Sequence, residues 1–156
     1  MNGFIASEPA AKKADVISNG DFWPAICPVE FTRAMRLDGT ITPERQREAL
    51  ITAMVNVNRE LKAWRLQQQD LGYLTLDAVP YDDPVNSESP KVHNYRRAVF
   101  CIAKANATER YRDFDATAKG DRRAASLESE IDDLWRDARW AMRELQGLNH
   151  CTVGLI

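Results

Sequence analysis

The sequence is poor in the residues that most often announce chemistry. Of 156 residues, three are cysteine and two are histidine. Cys27, Cys101 and Cys151 are odd in number, widely spaced and form no CxxC pair. Neither a disulfide framework nor a zinc knuckle is signalled, and free thiols in a reducing compartment are expected. His93 and His150 lack a His or Cys neighbour at the i,i+4 spacing of a helical metal site. His150 and Cys151 are adjacent, so an extended backbone points them to opposite faces, which disfavours a nucleophile–base pair. The glycine-rich phosphate loops and the GxSxG nucleophile turn are missing too. No apolar run approaches the ~18 residues of a membrane span, and Met1 to Asp21 lacks the apolar core of a secretory leader. An excess of one charge is also lacking. With 21 basic and 23 acidic residues the net charge is −2, and a polyanion is not the expected main ligand. No metal, cofactor or catalytic residue is assigned.

What is present is an ordinary globular composition, 44% hydrophobic and 28% charged. A chain of this length suits one domain and buries roughly 70% of its unfolded surface. Residues 1–25 are polar, alanine-rich and aperiodic, and read as an extended arm. The arm ends in Asn19-Gly20-Asp21-Phe22-Trp23-Pro24. Phe22 and Trp23 are candidate anchors, because two large rings rarely stay in solvent; they bury either on the chain's own core or on another chain.

Residues 26–148 carry helical periodicity. A short helix is expected from Pro28 to Leu37, with Gly39 available for a left-handed cap. Thr42 (N-cap) and Pro43 (first turn) open the strongest pattern. Leu50, Ala53, Met54, Val57, Leu61 and Trp64 then recur at steps of three and four, predicting one helix to Leu71, a rod of roughly 45 Å. Tyr73 to Pro90 contains Pro80, Pro84 and Pro90 and reads as a long connection, anchored by Leu76, Val79 and Tyr81. A third helix is expected from Val92 to Ala118, with Gly120 breaking the pattern. A fourth is expected from Ser126 to Gln146, stopped by Gly147. Residues 149–156 are apolar and β-prone, and read as an extended tail. The fold class is therefore all-α: one helical bundle with an extended arm and an extended tail.

Three constellations are candidates for chemistry. Glu128, Glu130, Asp132 and Asp133 run around a helix instead of converging, as a solvated face does. Arg96, Arg97, Arg110, Arg112, Arg122 and Arg123 suggest a basic strip, but acids interleave with them. Pro28 to Leu71 admits a helix-turn-helix reading, so a helical DNA-binding protein stands as the alternative function; its second helix is far longer than a recognition helix and its polar face mixes both signs. The tail carries Val153, Leu155 and Ile156 at strand spacing. It can add to a partner's sheet edge or pack back on its own helices, and both readings stay open.

Asn19-Gly20-Asp21-Phe22-Trp23-Pro24, Arg36-Leu37-Asp38-Gly39-Thr40-Ile41-Thr42 and Val57-Asn58-Arg59-Glu60-Leu61 with Trp64 form the first half of an ordered set. Tyr95-Arg96-Arg97-Ala98-Val99, Glu109-Arg110-Tyr111-Arg112-Asp113-Phe114-Asp115, Asp137-Ala138-Arg139-Trp140-Ala141 and Thr152-Val153-Gly154-Leu155-Ile156 complete it. In that order, from about Ser18 to Ile156, the segments resemble the head completion proteins (GPL) of temperate contractile-tailed phages. Gly154 stands where the family pattern has an acidic residue. The resemblance implies a structural virion protein without catalysis, a head-to-tail connector in the neck, assembled in the host cytoplasm. It implies a ring of twelve copies that binds the portal protein after DNA packaging. The ring would meet a tail-side terminator or connector protein, with genomic DNA passing non-specifically through its channel and no membrane involved. On it, Val153, Leu155 and Ile156 are expected to bind the portal, and Phe22 and Trp23 to anchor the arm.

Overall fold

The computed structural model describes residues 15–37, 39, 41–112 and 120–149, with side chains described for all of these except 111–112 and 120–124. Among the described residues the chain is all-α. Its helices are α1 (Pro28–Ala34), α2 (Pro43–Glu60), α3 (Lys62–Asp70), α4 (Pro90–Arg112) and α5 (Gly120–Leu145), with one 3-10 turn at Leu76–Ala78.

The long helix α4 lies at the centre, packed against α5 on one side and α2 on the other. That position explains its composition. Val92, Tyr95, Ala98, Val99, Phe100, Cys101, Ile102, Ala103, Ala105 and Ala107 are all buried, so the helix is apolar on most of its circumference. Its alanines let the neighbouring backbones come close. By contrast α5 is cleanly amphipathic. Ile131, Ala138, Ala141, Met142 and Leu145 face the core, and its charges lie outside. Lys104 reaches across to Glu130 at 2.8 Å and Arg97 to Asp137 at 3.6 Å. Such part-exposed pairs orient the helices more than they stabilise them.

The predicted single rod from Thr42 to Leu71 is interrupted at one residue. Leu61 sits between α2 and α3 with φ −88° and ψ 5°. The i→i−4 hydrogen bonds run on through it, from the Leu61 N–H to the Val57 carbonyl at 3.0 Å and from the Arg65 N–H to the Leu61 carbonyl at 2.9 Å; Leu61 is fully buried, and Trp64 beyond it approaches Phe22 with ring centroids 6.3 Å apart.

Helix ends follow from local chemistry. Gly72 (φ +96°) and Gly147 (φ +74°) adopt the left-handed conformation that ends α3 and α5. In each case the residue after the glycine donates to a carbonyl five residues back, Tyr73 to Gln68 at 3.0 Å and Leu148 to Arg143 at 2.9 Å, completing a Schellman cap. The cap of α1 uses Arg36 (φ +50°), with Leu37 donating to Thr32 at 3.1 Å; the left-handed cap expected at Gly39 falls past the helix end, because the helix already closes at Arg36. Gly120, expected to break the helical pattern, instead opens α5, which starts before Ser126. The expected extension of the third helix beyond Arg112 lies outside the described residues.

Candidate interaction surfaces

The segment preceding α1 loops back on itself. Ile17 and Ile26 exchange backbone hydrogen bonds of 2.7 and 3.0 Å, and Gly20 (φ +53°) makes the turn between them. This brings Phe22 and Trp23 onto the chain's own core, where they are 3% and 6% exposed. Trp23 stacks on Tyr95 of α4 at 4.9 Å, and Phe22 meets the Trp23 ring edge-on at 4.8 Å. The Phe22 carbonyl accepts the Leu76 N–H at 2.8 Å, fastening the long connection to the same place.

A closed polar ring lies beneath the aromatics. Asn19 Nδ2 donates to Tyr95 Oη at 2.6 Å, Tyr95 Oη donates to Asn58 Oδ1 at 2.6 Å, and Asn58 Nδ2 donates to Asn19 Oδ1 at 2.8 Å. Asn19 also reaches the Pro24 carbonyl at 3.2 Å. Three segments far apart in sequence are joined, and each polar group is satisfied in a place where an unpaired one is costly. Burial pushes the Tyr95 phenol well above its ordinary range, opposed by the Asn19 hydrogen bond. Periodicity marks Tyr95 only as an apolar position; nothing in the sequence pairs Asn19 with Asn58.

The opposite case is the place where Trp64 of α3, the start of α4 and the end of α5 meet. Lys91 ties these together. Its Nζ donates to the Leu145 carbonyl at 2.7 Å and lies 5.7 Å from the centre of the Trp64 ring. A cation here meets the negative end of the α5 dipole, while burial lowers the lysine pKa and Asp82 partly restores it. The connection from Tyr73 to Pro90 is more regular than expected. Beyond the 3-10 turn, Val85 and Glu88 pair across Asn86 (φ +52°) and Ser87 (φ +60°), the signature of a type I′ turn. Glu88 is held by both Arg96 amino groups at 2.6 and 2.9 Å, and His93 Nε2 contacts the Val85 carbonyl at 2.8 Å. Where the chain leaves α3, Leu71 and Leu74 are 69% and 72% exposed.

The remaining candidates separate. Arg96 and Arg97 are engaged by Glu88 and Asp137. Arg110 lies a helix length away, on a groove of about 350 Å³ between α2 and α4 lined by Ile41, Arg45, Glu48, Ala49, Asn106 and Ala107 among others. The side chains of Arg112, Arg122 and Arg123 are outside those described. Asp132 and Asp133 are exposed on α5, Arg136 pairs with Asp133 at 2.6 Å, and no group of His, Cys, Asp and Glu among the described residues is arranged to hold a metal. Cys101 is a buried free thiol whose pKa burial raises, and Cys27 is a free, half-buried one. No described helix is long and apolar enough to cross a membrane. Val153, Leu155 and Ile156, with His150 and Cys151, lie outside the described residues. The point where the tail departs is nonetheless set: Arg143 donates through Nε and Nη2 to the Asn149 carbonyl at 2.9 and 2.7 Å.

A sequence model of the family described as phage head completion protein (GPL) matches residues 17–156. A head completion/stabilization protein of Escherichia phage P2 is 44% identical over 152 residues, covering 97% of this chain and 89% of that protein. No solved structure gives a significant match.

Proposed function

This chain belongs to the family of phage head completion proteins, and on that premise we propose that it closes the DNA-filled head by binding the portal ring and offers a surface to the tail. Its role is structural, in phage head completion. In this reading the working unit is a ring of twelve copies in the neck, assembled in the host cytoplasm. A tail-side terminator or connector protein docks below it, and genomic DNA passes through the channel without sequence-specific contacts.

Val153, Leu155 and Ile156 bind the portal by adding an extended segment to its sheet edge, where alternate side chains fill pockets. Phe22 and Trp23 anchor the arm. The observation that carries the reading is the extent of the family match, residues 17–156, which includes both the arm anchors and the tail. The Arg143 clamp on Asn149 supports it, because a tail that leaves from a fixed point loses less entropy on docking.

The test is binding of purified chain to portal-bearing, DNA-filled heads, with and without residues 150–156. The shortened chain should keep its helical circular dichroism and lose binding. Undiminished affinity of the shortened chain would remove the tail from the interface.

A further inference from the structure

Several cations of this chain are neutralised within it: Arg47, Arg96, Arg97, Lys104 and Arg136 each meet a carboxylate. Arg59, Lys62 and Arg65 do not. Among the described residues none of the three has an ion pair. They stand three residues apart, the spacing of neighbours on one helix face. Backbone hydrogen bonds run on through Leu61, so α2 and α3 keep one phase and the three side chains make a single ridge about 9 Å long. Arg59 and Lys62 are exposed and Arg65 is half-buried. Arg59 Nη2 donates to Asn56 Oδ1 at 3.2 Å, which orients the charge without cancelling it. Arg65 Nε, alone among the described side-chain atoms, is buried without a hydrogen-bond partner. An unpaired buried donor is costly, and an acceptor that draws the guanidinium outward relieves that cost. The acids nearest in sequence do not oppose the ridge. Glu60 falls on the other side of the turn, and Asp70 lies more than a turn beyond Arg65.

We infer that this ridge is a contact for the phosphate backbone of duplex DNA, and that it marks the face of the chain turned toward the channel. The inference rests on the reading that genomic DNA passes through a ring of copies, and deepens it by naming the side chains that the DNA meets. One DNA strand presents a phosphate about every 3.4 Å of rise, so a ridge of about 9 Å spans two or three of them. Contacts to phosphate alone carry no sequence preference. The whole chain has a net charge of −2, so the attraction is local to the ridge. Each copy adds only a few contacts, and contacts of this kind let DNA slide.

The experiment measures binding of the full chain to a short fluorescent DNA duplex by anisotropy, starting at low salt and without heads. Affinity should fall roughly 10- to 40-fold between about 50 and 200 mM salt, as two or three phosphate contacts require. Arg59→Gln with Lys62→Gln and Arg65→Gln should weaken binding about tenfold or more at low salt while helical circular dichroism stays in place. Arg33→Gln with Arg36→Gln and Arg139→Gln makes the same change in net charge at exposed positions elsewhere, and should weaken binding less than about twofold. Equal losses in the two variants would reduce the effect to overall charge and overturn the inference. Absence of binding at low salt also overturns it and leaves the portal reading standing, because head binding is measured separately. Displacement of the duplex by polyglutamate as readily as by unlabelled DNA of equal charge would make the ridge a site for an acidic protein, which overturns it too. If the ridge variant fails to fold, amide chemical shifts of the unaltered chain decide. Adding duplex should move the resonances of residues 55–69 and leave those of α5 unchanged; movement confined to other residues sinks the inference.

Discussion

Around Tyr95, aromatic rings are covered and amide groups are paired in a closed circuit; at the end of α3, Leu71 and Leu74 stand in solvent. Both regions are made from the same kinds of connection, a polar segment with a glycine turn leading into a helix. They differ in what closes over them. The segment from Ile17 to Ile26 folds back and lids the α2–α4 seam. Nothing in the described chain does so for the end of α3. The contrast separates two uses of side chains: at Tyr95 they assemble the monomer, and at Leu71 they are left over once the monomer is complete.

Mutations should divide along that line. The largest effect is expected for Trp23→Ala, which removes a stacked ring from a site only 6% exposed. It should cost about 3–5 kcal/mol in urea unfolding; a loss below about 1 kcal/mol would mean that the lid is decoration.

Tyr95→Phe comes next. It keeps the stack on Trp23 but leaves Asn19 and Asn58 with unmatched partners, at about 1–3 kcal/mol. The same residue predicts a pH dependence. Its folded-state pKa is raised above the ordinary 10.0, so the folded state holds the phenolic proton more tightly than the unfolded state. Its contribution is fully present below pH 10 and declines as pH climbs past that value. A pH titration of stability should show this decline in the unaltered chain and lose it in Tyr95→Phe.

At the exposed end only the backbone should be costly. Gly72→Ala forces a Cβ into the left-handed region (φ +96°) and should cost about 1–2 kcal/mol, although space around the position is open. Smallest of all, Leu71→Ser with Leu74→Ser should shift stability by no more than about 0.5 kcal/mol, because neither side chain is buried. A large loss there would erase the distinction between the two regions.

Much of this was legible beforehand because it depends on neighbours in sequence. The buried positions Leu50, Ala53, Met54 and Val57 follow from helical spacing alone, and the Gly72 and Gly147 stops from backbone sterics. Phe22 and Trp23 were recognisable as anchors from ring area, but their target was not, since area has no direction. The interruption at Leu61 is invisible in sequence because no residue there dislikes a helix. Gly120 misled for the converse reason: a glycine weakens a helix only slightly, and packing of α5 along α4 outweighs it.

The sequence by itself determined the helical class, the order of the long helices, most core faces and the family, all of which are written in short spacings or in ordered segments. Tertiary structure alone decided that Asn19, Asn58 and Tyr95 close a polar ring and that Lys91 caps α5. Those facts join residues up to 76 positions apart. Such pairings are selected by the free energy of the whole packed core, which no local pattern encodes.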